Sequence, residues 1–291
     1  KNMLAVTKLR VVAIQLLAAA MQCAEFQTQE HVAMRMRIIS VYFKCLYSSS
    51  EEVVAVAYDS LKATLAQQSK LPKDLLRSGL QPILMTLADR HRLTSAGLDG
   101  LAHLLQLLTN YFKVEIGIKL LDHLSALAEP AMLRRAAAGP LDTHEKLRIL
   151  TAIVRVFHLL PDTAYQFLPR LLVYVAEIES HLRRSGPTPL TDMLTLFLDH
   201  FSEHAVRYYF ESDGHVRFTD VLQNPRLFRL LRLALQSPRG ASLRRELSRR
   251  AETLFLPLLS DASNTQSVYA ALQLIEALVQ HEPCLLYTSD A

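Results

Sequence analysis

The chain has 291 residues, more than the roughly 100 to 200 that one hydrophobic core commonly supports, so it must divide into domains or extend. Half of it is hydrophobic, with only 8 Gly and no Trp, and leucine and alanine dominate, which favours helices over sheets. Three cysteines, Cys23, Cys45 and Cys284, are too few and too scattered for a disulfide framework or a paired-ligand zinc site and suit a reducing compartment, while the net charge of +4 is small.

At the N-terminal end, Lys1, Lys8 and Arg10 followed by "VVAIQLLAAA" imitate a secretory signal. The stretch is read instead as a helix of an internal fragment: the chain does not begin with Met, and Ala18, Ala19 and Ala20 suit close helix packing. The longest apolar run, Val11 to Met21, is broken by Gln15 and falls short of the ~20 residues needed to cross a bilayer, so no span is expected.

Helix starts follow in order. Ser49 with Glu52 has capping-box spacing, Pro72 fits a first helical turn, and Asp142 with Glu145 repeats the box in its Asp form. With the breakers Pro, Gly, Asn and Asp, these predict helices at 3–24, 29–47, 51–69, 72–88, 95–111 and 114–128. Further helices are predicted at 143–160, 162–183, 189–199, 202–210, 225–236, 241–259 and 265–281. Asp213-Gly214 reads as a polar loop, with no β-branched alternation beside it. Residues 129–142 and 183–190, rich in Pro and Gly, read as looser connections.

Two of these helices carry more apolar surface than one stripe. Leu98, Leu101, Leu105, Leu108 and Phe112 recur at steps of three and four, flanked by Leu104, Leu107 and Tyr111. Ile116, Leu120, Leu124 and Leu127 repeat the pattern, widened by Ile118 and Leu121, with Glu115 and Lys119 as an exposed i,i+4 pair. A second row requires cover on a second side, which stacked helical hairpins provide. Helix pairs recurring about every 40 residues match the HEAT or armadillo period. The fold expected is an all-α solenoid of about 13 to 15 helices over residues 1–282, with a large irregular bundle as the alternative and 283–291 as a frayed or non-native tail.

Two patterns invite chemistry. "HFSEH" fits H-x-x-E-H, in which His200 and His204 on one helix face would hold zinc, Glu203 would act as base, and Glu276 or Glu282 would supply a third ligand. The competing reading is a turn between two short helices. "PRLFRLLRLALQSPRGASLRRELSRR" carries Arg226, Arg229, Arg232, Arg239, Arg244, Arg245, Arg249 and Arg250 against one acid, Glu246. As a cationic ridge it could bind phosphate or carboxylate; as a solvated face its stems would cover apolar surface. It lacks interleaved aromatics for base stacking, and with so small a net charge it favours an acidic protein partner over nucleic acid. His103, His123 and His158 lie within apolar helices and read as packed or interface histidines, and Tyr208, Tyr209 and Phe210 as anchors of a helix end. There is no Gly-rich phosphate loop and no G-x-S-x-G elbow, so no enzyme and no cofactor are expected.

"LPKDLL" (Leu71 to Leu76), "PILMTLAD" (Pro82 to Asp89), and "LLTNYFKVEIG" with "KLLDHL" (Leu107 to Leu124) resemble the helical-repeat region of the TRRAP family, scaffolds related to phosphatidylinositol-3-kinase-like kinases. "VFHLLP" (Val156 to Pro161) extends the resemblance, and residues 185–291 depart most from it. The resemblance implies a HEAT-rich part of a nuclear transcription coactivator in SAGA-type and related histone acetyltransferase complexes. Its members bind transcription activators and carry a catalytically dead kinase domain. The implied partners are activators and sister subunits, and the residues offered for contact are Arg226, Arg229, Arg232, Arg244, Arg245, Arg249 and Arg250.

Overall fold

Leucines spaced three and four apart form helices along this chain, several of them with a side-chain cap on the first free backbone N–H groups and others without one. A computed structural model describes residues 2–67, 73–212, 215–216, 224–260 and 264–281. They fall into two units, Lys1–Phe112 and Lys113–Ala291. In the first lie α1 (Asn2–Gln22), α2 (Val32–Cys45), α3 (Glu51–Gln67), α4 (Lys73–Ala88) and α5 (Ser95–Leu108). In the second lie α6 (Ile116–Leu127), α7 (Pro130–Ala137), α8 (Glu145–Val156), α9 (Leu168–Leu182), α10 (Pro189–His200) and α11 (Ser202–Phe210). After them come α12 (Pro225–Gln236), α13 (Ala241–Arg249), α14 (Ala251–Ser260) and α15 (Thr265–Val279).

Packing alternates along the chain. In the first unit α1, α3 and α5 form one row and α2 and α4 the other, with α2 on α3 and α4 on α5 joining the rows. The second unit repeats the arrangement: α6, α8, α10 and α13 form one row, and α7, α9, α12 and α15 the second. Helices thus meet their neighbours in the same row, and pairs such as α2 with α3, α6 with α9 and α10 with α12 join the two rows of each unit, the solenoid arrangement expected of HEAT-type repeats. The predicted stripes are buried accordingly. Leu98, Leu101, Leu105, Leu108 and Phe112 face the interior, as do Ile116, Leu120, Leu121 and Leu124. The widening rows reach less far than predicted: Leu104 is buried, but Tyr111 and Ile118 are exposed.

Several boundaries move, each for a local reason. The predicted loop at 129–142 contains α7, because Pro130 stands in its first turn and Met132, Leu133 and Ala136 make a short apolar face that packs on α9. The predicted helix 241–259 divides at Arg250, whose backbone (φ −105°, ψ 4°) leaves the helical region. The 162–183 helix begins late, after a 3-10 turn over Asp162–Phe167. The predicted boxes are displaced: α3 starts at Glu51 after Ser50, and α8 starts after His144, leaving Asp142 in a 3-10 turn. Pro72, Asp213, Gly214 and the tail 283–291 lie outside the described residues. Beside Asp213-Gly214, Glu211 pairs with Val216 and Ser212 with His215 in a minimal antiparallel ladder that the sequence did not signal.

Other caps do the work. The Thr94 hydroxyl accepts from Gly97 N–H at 3.0 Å, and Asn224 and Asn264 cap α12 and α15. Between α1 and α2 the buried Arg35 guanidinium donates to the Phe26 and Thr28 carbonyls at 2.5 and 2.8 Å, closing an irregular connection. Among the described residues one helical stretch, Leu4–Gln22, is long and apolar enough to cross a membrane, longer than the run judged too short from the sequence. Ile14 and Met21 of this helix are buried and it packs on α3, while Leu4, Leu9 and Leu16 are exposed.

Gly117 marks a close approach, since a Cβ there would overlap the Phe167 ring. Leu171, fully buried at the centre of the α7–α9–α12 row, is expected to be more costly to truncate. Leu171→Ala should lower unfolding free energy by about 2 to 5 kcal/mol, read by chemical denaturation, through lost burial and the cavity left behind.

Candidate functional site

The arginine-rich segment does not present one continuous face. On α12 the residues Leu227, Leu230, Leu231, Ala234 and Leu235 are buried, and Arg226, Arg229 and Arg232 take the remaining positions. Arg226 is exposed and makes no ion pair among the described residues. Arg229 and Arg232 are half-buried, and the Arg232 Nε has no hydrogen-bond partner. Arg244 is 6% exposed: its guanidinium donates to the Leu235 and Ser237 carbonyls at 2.9 and 2.6 Å and caps the C-terminal end of α12. Gly240 completes this turn, since a Cβ there would overlap the Ala234 carbonyl. The Asp199 carboxylate of α10 accepts from the Ser242 and Leu243 N–H groups at 2.6 and 2.9 Å, holding the first turn of α13.

The end of the segment is an ion-pair cluster. Arg250, half-buried, meets Glu211 at 2.7 Å, Glu246 at 2.8 Å and Glu203 at 3.8 Å. Arg249 meets Glu246 at 2.8 Å, and Arg207 meets Glu203 at 2.8 Å. The hydrogen bond from Arg249, followed by the nearby arginine charges, holds the Glu246 carboxyl below its usual range. Of the seven arginines predicted to contact a partner, Arg229, Arg244 and Arg250 are therefore engaged inside the protein, Arg232 is half-buried, Arg249 faces solvent but is paired with Glu246, and Arg226 and Arg245 face solvent.

A second constellation was not singled out in the sequence. Glu179, 2% exposed on α9, accepts from the Thr188 hydroxyl at 2.5 Å and pairs with Arg229 at 3.5 Å. Thr188 and Thr191 form a reciprocal capping box on α10. Arg229 also donates to the Arg184 and Gly186 carbonyls at 2.5 and 3.2 Å, and Arg184 to the Ala137 and Gly139 carbonyls at 3.0 and 2.9 Å. One polar chain thus ties α7, α9, α10 and α12 together at the 183–188 connection. Arg183, which ends α9, has φ 52°, a left-handed position that costs a non-glycine residue about 1 kcal/mol. Beside this connection lies an open cleft of about 360 Å³, lined by Arg183, Arg184, Arg226 and Arg229 above Glu179. Its only sequence signals were "RRSGPTPL", read as a connection, and a Glu at an apolar position of α9.

The zinc reading is corrected by the helix boundary. α10 ends at His200, Phe201 (φ −104°, ψ 41°) breaks the helix, and α11 begins at Ser202, so His200 and His204 do not share one helix face. His204 stacks on the Tyr165 ring at 3.9 Å, His200 lies edge-on to Phe201, and Glu203 is engaged with Arg207 and Arg250. Among the described residues no group of three His, Cys, Asp or Glu is placed to hold a metal; Glu282 lies outside them.

Two groups give opposite pH signatures. Burial, aided by the charges of His200, Arg155 and Arg239, pushes the His158 imidazole down to about 4. Its neutral form favours the fold, so this contribution is present above about 6.5 and lost as pH falls through 4. Burial raises the Glu179 carboxyl against the opposing pull of Thr188 and Arg229, so stability falls as pH rises above 4.5. Denaturant midpoints between pH 4 and 7 should separate the two. Glu179→Gln should steepen the rise in stability with pH, and His158→Gln should remove at most roughly 2 kcal/mol of that rise, the half-buried ring being partly screened.

Comparison with known proteins places this architecture. A family model described as the Tra1 HEAT repeat ring region matches residues 1–291, including residues 185–291, which the resemblance at 71–124 did not reach. The chain is 41% identical over 229 residues to the SAGA complex/NuA4 acetyltransferase complex subunit Tra1 of Schizosaccharomyces pombe, covering 77% of this chain and 6% of that protein. It is 42% identical over 202 residues to the same-named TRA1 subunit of Saccharomyces cerevisiae, covering 69% and 5%. With the human transformation/transcription domain-associated protein it shares 23% over 226 residues, covering 72% and 6%. The chain therefore corresponds to only about a twentieth of these relatives' length. With two helical rows and a family match over all 291 residues, the chain belongs to the Tra1 family, the group to which the TRRAP resemblance pointed, and represents part of its HEAT repeat ring.

Proposed function

We propose that residues 1–282 belong to a HEAT-like helical repeat array acting as a noncatalytic scaffold segment of a nuclear transcription coactivator. It helps a histone acetyltransferase complex, SAGA-type or related, hold transcription activators and sister subunits. The observation that carries this reading is the 41% identity to a protein named as a SAGA and NuA4 subunit, spread over 77% of the chain rather than confined to a motif. The fold supports it: in both units side chains fill the space between the rows, and exposed charged residues are left to meet partners.

The partner-facing arginines in this proposal are Arg226, Arg245 and Arg249, with Arg232 at the margin. Arg229, Arg244 and Arg250 shape the surface from within. Their scattered placement, without aromatics between them, favours acidic protein segments over nucleic acid. Charge reversal of Arg226 and Arg245 to Glu in the full-length protein should reduce co-purification of one or more complex subunits or activators severalfold. Its melting temperature should stay within about 2 °C, because exposed side chains contribute little to stability. Unchanged subunit recovery and crosslinks that avoid these residues would remove them from the interface. A salt-dependent DNA affinity whose slope falls by about 1 per neutralised arginine would assign them to nucleic acid instead.

A further inference from the structure

We propose that the cleft at the 183–188 connection binds a phosphomonoester carried on a serine or threonine of a partner protein. The inference concerns a site and a chemistry that the coactivator reading does not contain, and it stands whichever complex the chain serves. Four guanidinium groups and one carboxylate line the cleft. Two of the four are committed: Arg184 spans the Ala137 and Gly139 carbonyls, and Arg229 is divided between Glu179 and the carbonyls of Arg184 and Gly186. The carboxylate, Glu179, is buried and answered by Arg229 and the Thr188 hydroxyl. Arg183 and Arg226 remain, both exposed and both without an ion pair among the described residues.

Two uncommitted cations define what the cleft can hold. A phosphomonoester carries about −1.5 to −2 charges at neutral pH and three acceptor oxygens, matching two forked donors. A carboxylate or a phosphodiester carries one charge and would leave one guanidinium unanswered. The cleft volume, about 360 Å³, is near the lower end of roughly 300 to 1,000 Å³ for compact ligand sites, so it suits a single headgroup rather than a helix. Arg183 occupies a left-handed position that glycine fills without steric cost, and it lines the cleft. Ser180 lines the same cleft, but its hydroxyl already donates to the Glu177 carbonyl at 2.7 Å.

The test measures fluorescence anisotropy on the intact protein with the labelled peptide acetyl-Gly-Ala-phosphoserine-Ala-Gly-amide. Its serine and glutamate counterparts, inorganic phosphate and a short DNA duplex serve as competitors. The phosphopeptide is expected to bind, and the double variant Arg183→Gly with Arg226→Gln to weaken it by about tenfold or more, the loss expected for charged hydrogen bonds. Arg245→Gln should leave binding unchanged. Because glycine suits the left-handed position, the double variant should keep its melting temperature, and a loss of binding in a folded protein supports the site. No phosphopeptide binding at millimolar concentration, equal binding of the glutamate peptide, or an unchanged affinity in the double variant would each overturn the proposal. Inorganic phosphate matching the peptide's affinity would reassign the cleft to free anions, and stronger competition by DNA would reassign it to nucleic acid. Both outcomes defeat a protein-borne phosphate.

Discussion

Helices in the interior of each row have to be covered on two sides, and this double burial governs the rest of the structure. A helix with one apolar stripe can lie on a surface; one whose leucines recur in adjacent rows exposes apolar area until a neighbour arrives on each flank. In the second unit the solution is visible in the order of contacts. α9 lies between α7 and α12, and α12 in turn between α9 and α15. Leu171, Leu172 and Val175 on α9 and Leu231 and Leu235 on α12 are completely excluded from solvent as a result. Such an arrangement fills the space between the rows with side chains and directs recognition to ridges, ends and connections.

Polar groups then decide how one hairpin follows the next. Hydrophobic contact is non-directional and would allow the rows to slide, whereas the connections here are pinned by charged donors on backbone carbonyls. Arg35 holds the Phe26 and Thr28 carbonyls, Arg244 those of Leu235 and Ser237, and Arg184 those of Ala137 and Gly139. In each case a guanidinium bonds two carbonyls at a helix end or turn, adding to backbone bonds at Thr28 and Ser237, and several donors in one rigid fork serve better than the single ammonium of lysine. Asp199 does the reverse at the start of α13, accepting two N–H groups. Arginine in this chain is thus a structural residue first.

This dual use explains what could be read in the sequence and what could not. The stripes of α5 and α6 were legible because leucine spacing alone determines which face is buried. α7 was hidden because Pro130, Gly139 and Pro140 announce a break, although Met132, Leu133 and Ala136 between them suffice for two turns against α9. The arginine run looked like one surface because charge is visible in a sequence while its partners are not. Arg229 meets Glu179 fifty residues away and Arg250 meets Glu211 thirty-nine away, separations that no local pattern signals. The histidine motif failed for a related reason: it assumes one helix, and Phe201 ends that helix between the two histidines.

What distinguishes a recognition surface from a solvated face here is commitment, not charge density. An arginine already bonded to a carbonyl or a buried carboxylate would expose those groups if it turned to a partner, and leaving a buried acceptor unsatisfied costs more than an exposed contact returns. Arg244, with both of its acceptors supplied by the end of α12, is the clearest case. Arg183, Arg226 and Arg245 carry no such obligation. The segment with the most arginines therefore contributes fewer of these uncommitted cations than its composition suggests, and the 183–188 connection, which composition marks only as a loop, contributes one of them. In a scaffold of packed helices, the side chains left without internal work are the ones free to recognise something else.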